Sequence, residues 1–158
     1  MIAYDVFNGD ADGICALHQL RLKDPLPDAH LVTGVKRDIR LLETIHHVKN
    51  SHITVLDVSM DRNREPLLTL LAHGNSIVYI DHHFSGDIPE NSALQAHIDP
   101  APLTCTSMIV DKLLGGTTAN GPLSAPLATI LTKPLSGPPE PWPWHPTRSN
   151  NFGKPAFC

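Results

Sequence analysis

Between Ile2 and Gly116 the chain alternates short β-branched runs with segments of helical period, and that alternation restricts the fold more than any other feature. "IAYDVF" (Ile2–Phe7) is strand-like and ends at Asn8-Gly9, a turn dipeptide. Gly13–Leu22 has Ile14, Leu17 and Leu20–Arg21 at helical spacing and stops before Asp24-Pro25. "HLVTGV" (His30–Val35) predicts a second strand, and Ile39, Leu42 and Ile45–His46 predict an amphipathic helix over Arg37–Val48. A strand over His52–Ser59, a helix over Arg64–Gly74 and a strand over Ser76–Ile80 follow. A last helix is expected over Thr104–Gly116, capped by a threonine and closed by a glycine pair. This pattern predicts an α/β fold: a doubly wound, mostly parallel sheet with flanking helices.

After residue 116 the text changes. Nine of the chain's 15 prolines lie in residues 117–158: Pro122, Pro126, Pro134, Pro138, Pro139, Pro141, Pro143, Pro146 and Pro155. "SGPPEPWPWHP" fits neither a central strand nor a helix interior. The expectation is one domain over 1–116 and a proline-rich, irregular, disordered tail over 117–158.

Composition removes several functional classes. A formal net charge of −4 gives no global case for nucleic-acid binding. Cys15, Cys105 and Cys158 are an odd, scattered set without a CxxC pair, which argues against a disulfide framework and a structural zinc site. No secretory leader or apolar run of about 20 residues is present, so a cytoplasmic protein without membrane partners is expected. Cys15 and Cys105 read as small core residues, and His46-His47 as surface residues. Lys36-Arg37, Arg62 and Arg64 read as a solvated face.

The acids carry the chemistry. Parallel α/β sheets form their sites outside the carboxyl ends of the strands. Asp10 and Asp12 follow the first strand, Asp57 ends "ITVLD", and Asp81 follows "SIVYI" and opens Asp81-His82-His83. One acid alone is readily explained as a turn or cap residue. Four carboxylates and two imidazoles at successive strand ends are a donor set for Mn2+ or Mg2+, with Zn2+ or Co2+ also compatible. Two ions roughly 3.5–4 Å apart would neutralise that charge, activate a water and hold a phosphoryl group.

"NGDADG" (Asn8–Gly13), "LDVS" (Leu56–Ser59) and "DHHFSG" (Asp81–Gly86) resemble, in order and spacing, the first three motifs of the DHH phosphoesterase superfamily. His97–Leu114 is similar to the segment that follows the triplet there. The resemblance implies a manganese-dependent hydrolase of phosphoester or phosphoanhydride bonds. Its substrates would be phosphoesters such as a nucleotide, short oligonucleotide or cyclic dinucleotide. It implies that Asp10, Asp12, Asp57 and Asp81 ligate metal and that His82 or His83 contacts metal or the scissile phosphate. On this reading His82 and His83 are catalytic, with His82 also a metal ligand. Asn8 stands where related exonucleases often carry an acid and is a candidate auxiliary residue. The family's fourth motif supplies another aspartate, but here no acid occurs between Asp111 and Glu140. Its C-terminal substrate-binding domain has no counterpart either, so a truncated or frameshifted product with an incomplete metal site is expected. Two alternatives follow: a metal-binding fragment without catalysis, or a haloacid-dehalogenase-like phosphatase with Asp10 as nucleophile.

Overall fold

The computed structural model describes residues 1–35 and 38–116. Among these residues five strands form one parallel sheet in the order β2-β1-β3-β4-β5. They are β1 (Ala3–Asn8), β2 (His30–Gly34), β3 (His52–Leu56), β4 (Ser76–Asp81) and β5 (Leu94–Ile98). Three α-helices accompany them: α1 (Ala11–Lys23), α2 (Arg64–Ala72) and α3 (Thr106–Leu113). Among the described residues no helix is long and apolar enough to cross a membrane. The tail predicted over 117–158, with Cys158, and the Lys36-Arg37 pair lie outside the described residues.

Both faces of the sheet are covered, as a parallel sheet requires. On one face Phe7, Leu56, Val78 and Ile80 pack on Ala16 and Leu20 of α1 and on Ile109 and Val110 of α3. On the other, Val6, Ile53, Val55, Ile77 and Tyr79 meet Leu41, Leu42 and Ile45, and Leu67, Leu70 and Leu71 of α2. The expected doubly wound architecture is therefore present, its alternate strand residues feeding two cores.

Four local expectations are corrected. The helix predicted over Arg37–Val48 is only a 3-10 helix, Leu41–Ile45. Its cause is Asn63, which is fully buried. The Asn63 amide donates to the Ile39 carbonyl at 2.6 Å and to the Ser59 carbonyl at 2.9 Å, and its oxygen accepts from the Leu42 N–H at 3.2 Å. The Ile39 carbonyl, which an α-helix would offer to residue 43, is thus engaged elsewhere, and the Glu43 N–H turns to Arg40 instead.

The second correction is β5, a strand that the pattern did not predict. It is a half-buried edge strand of mixed polarity, reached from β4 by a loop without a helix. The third concerns the buried face of α1. Gly13, Ala16 and Leu20 are buried, whereas Ile14 is 51% exposed and Cys15 is exposed rather than in the core. A Cβ on Gly13 would lie 2.2 Å from the Asn8 carbonyl oxygen, so glycine lets the helix sit directly on the end of β1. That close approach turns the small residues, not Ile14, toward the sheet. The fourth is the cap of α3. Thr104 does not cap the helix: the cap position is Cys105, and Thr104 Oγ1 donates to Asp99 Oδ2 at 3.3 Å. Other readings agree with the structure, since His46 and His47 are exposed.

Candidate metal centre

From β1 the chain crosses to β2 on one side, then returns to place β3 on the other side of β1. At such a reversal the connections leave on opposite faces and a crevice opens at the carboxyl ends of the two strands. Asp10 and Asp12 follow β1, and Asp57 follows β3, so three acids flank that crevice.

Each acid is held differently. Asp10 is the N-cap of α1, and its Oδ1 accepts the N–H groups of Asp12 at 3.1 Å and Gly13 at 3.4 Å. Asp12, in the first turn of the same helix, reaches across to α3. Its Oδ2 accepts from the Thr106 N–H at 2.7 Å and its Oδ1 from the Ser107 N–H at 2.8 Å. Asp12 thereby supplies the cap that the α3 sequence lacks. Asp57 ends β3 by turning into the left-handed region, with φ of 57°. That conformation is uncommon outside glycine, although aspartate tolerates it better than most residues. The Asp57 Oδ1 accepts from the Thr106 hydroxyl at 3.1 Å.

The histidines close the group. His82 Nε2 lies 3.3 Å from Asp57 Oδ1 and 3.9 Å from Asp12 Oδ2. His83 Nδ1 is 2.7 Å from Asp81 Oδ1, and the two imidazole centroids are 4.4 Å apart. Asp81 is fully buried, and among the described residues its Oδ2 has no hydrogen-bond partner.

Charge crowding shows in the acidities. Burial, then the carboxylates of Asp12 and Asp10, push the Asp57 carboxyl up to about 7. Burial also pushes Asp12 upward, but hydrogen bonds from Ser107, Thr106 and Cys105 together outweigh it and hold Asp12 below the ordinary carboxyl value. The hydrogen bond to Asp81 raises His83, against the opposing effect of burial.

Asp57, His82 and His83 each offer a ligand atom, all within 4.8 Å of one another, and this group could hold a metal ion. The fit is chemical as well as spatial. Carboxylate oxygen and imidazole nitrogen are donors for divalent ions of the first transition row, and a cation would relieve the repulsion that raises Asp57.

The expected residues therefore divide. Asp12, Asp57, His82 and His83 converge. Asp10 is drawn in through its interaction with Asp57 while it caps α1. Asp81 lies behind His83 and fixes that ring. Asn8 ends β1 and offers its backbone as the seat for Gly13. Asp111 sits in α3, away from the helix end that meets Asp12. Sequence reasoning missed Thr106 and Ser107. Their only signal was the "TCTS" start of the last helix, which read as a cap for its own backbone.

No protein-family model matches the chain, and no curated protein matches it. A solved structure of an uncharacterized protein from Helicobacter pylori G27 is similar at a TM-score of 0.49 and 19% identity, over 82% of this chain and 39% of that one. The chain thus spans well under two thirds of that protein's length.

Proposed function

We propose that the chain is a metal-dependent phosphoesterase domain of the DHH type, with Mn2+ as its metal and nucleotide, short-oligonucleotide or cyclic-dinucleotide phosphoesters as its substrates. One observation carries the reading: Asp57, His82 and His83 form a metal-capable group at the point where the strand order reverses, with Asp12 beside it. Asp57 and His82 would hold the metal with Asp12 beside them and Asp10 adjoining, and His83 completes the group as a further ligand or as an acid. Bound divalent ions supply a water of lowered pKa and neutralise charge on a phosphoryl group.

The chain's own residues do the rest. The Asp81 carboxylate accepts from His83 Nδ1 and so fixes the ring with Nε2 free. The hydrogen bond to Asp81 raises the basicity of His83, which is placed to carry a proton to a leaving oxygen. His82 faces the Asp57 carboxylate, where it serves as ligand or as a contact for phosphoryl oxygen.

A second reading, metal binding without turnover, is favoured by the acid-free text between Asp111 and Glu140. Hydrolysis of bis-p-nitrophenyl phosphate and short RNA in Mn2+ separates the two. The proposal expects turnover that Asp57→Asn and His82→Ala abolish. Saturable Mn2+ binding without hydrolysis supports the second reading, and turnover unaffected by both substitutions excludes this site.

A further inference from the structure

Thr106 touches two of the site's acids at once. Its N–H donates to Asp12 Oδ2 at 2.7 Å, and its hydroxyl donates to Asp57 Oδ1 at 3.1 Å. The neighbouring Ser107 N–H takes the other Asp12 oxygen at 2.8 Å. Thr106 is fully buried and Ser107 is 6% exposed, so little water competes for these donors. The two acids come from different strand ends, and Thr106 comes from a third element distant in sequence. Two carboxylates brought this close repel unless donors or a cation stand between them. We propose that Thr106 is a positioning residue for the metal centre: it sets the spacing of Asp12 and Asp57, so that the start of α3 determines cation affinity without contacting the cation.

The parts of this contact separate cleanly. The N–H bond to Asp12 belongs to the backbone and survives any substitution that leaves α3 in place. The hydroxyl bond to Asp57 belongs to the side chain. Thr106→Val keeps the shape and removes only the hydroxyl, whereas Thr106→Ser keeps the hydroxyl and removes only the methyl. Hydrogen-bonded supports behind metal ligands are worth about 10- to 100-fold in affinity.

The inference rests on the proposed metal centre, and calorimetric Mn2+ titration of the wild type and both variants tests the two separately. Circular dichroism and thermal melts in chelator establish folding. Expected is Mn2+ binding weakened at least about tenfold in Thr106→Val and held within about threefold of wild type in Thr106→Ser. Wild-type affinity in Thr106→Val, or equal losses in both folded variants, overturns the role of Thr106 while leaving the centre standing. A wild type that binds no Mn2+ overturns both. Should Thr106→Val fail to fold, Thr106→Ala serves in its place and the same comparison with serine decides.

Discussion

Asp57 concentrates the tension at this site. It is buried, adopts a left-handed backbone, and faces two other carboxylates. Its folded pKa of about 7 lies above its ordinary 3.8, so the folded chain binds this proton more tightly than the unfolded chain. Stability from this group is complete at low pH and declines as pH rises from about 4 to about 7. His83, raised above 6.5, adds stability that is likewise lost as pH rises through its folded value. Asp12 acts in the opposite sense, since its depressed pKa contributes stability above 3.8 that is lost in more acidic solution. In chelator the melting temperature of the wild type relative to Asp57→Asn, a comparison in which the burial-lowered His52 and His97 act equally on both proteins, is therefore expected to fall between about pH 4 and about pH 7, and saturating Mn2+ should flatten that slope. Differential scanning calorimetry across this range checks it, and a metal-free slope that rises instead contradicts the crowding.

These residues were legible to different degrees. Asp10, Asp12, Asp57 and the His82-His83 pair stand at strand ends, which period and turn chemistry locate. What each carboxylate touches was not legible, because the partners of Asp12 lie 94 and 95 positions away. Asp81 shows the limit well. Its position was evident, but whether it faces a metal or a histidine depends on side-chain direction.

At the level of elements, α1 and α3 build the site by unusual closeness. Gly13 lets α1 rest on the end of β1, and the Asp12 carboxylate then reaches α3. Gly13→Ala places a methyl group within 2.2 Å of the Asn8 carbonyl oxygen. It is expected to cost roughly 2–3 kcal/mol. Because the displaced turn carries Asp12, Mn2+ affinity should fall as well. Urea unfolding and Mn2+ titration of that variant measure both effects, and an unperturbed melt contradicts the close seat. The elements that the sequence did not foretell share a cause. The 3-10 helix at Leu41–Ile45 depends on Asn63 from a later segment, and β5 depends on the free edge of β4. Both are tertiary decisions, and local periodicity carries no trace of them.

Across the whole molecule, the site gathers at the carboxyl ends of the strands, while another charged pair lies within the sheet face that α1 covers. Arg21 of α1 donates from Nη2 to Asp5 Oδ1 at 2.5 Å and from Nε to Asp5 Oδ2 at 2.8 Å, and it reaches Thr54 at 3.2 Å. Asp5 is 1% exposed, so Arg21→Met strands a buried carboxylate. A loss of about 3–5 kcal/mol is expected, with Mn2+ affinity in the folded fraction unchanged. Chemical unfolding and calorimetry read these separately, and a metal-binding defect in a well-folded Arg21→Met protein would contradict the division between scaffold and site.

Calorimetric titration of Mn2+ into the wild type and into Asp57→Asn bears most directly on the metal centre. Asparagine keeps an acceptor for the Thr106 hydroxyl and tolerates the left-handed backbone, so the fold is expected to survive. The wild type should bind Mn2+ saturably, and Asp57→Asn should lose roughly 100-fold or more in affinity. Equal affinity in the two proteins, or no binding by the wild type, would contradict a cation site at the carboxyl ends of β1, β3 and β4.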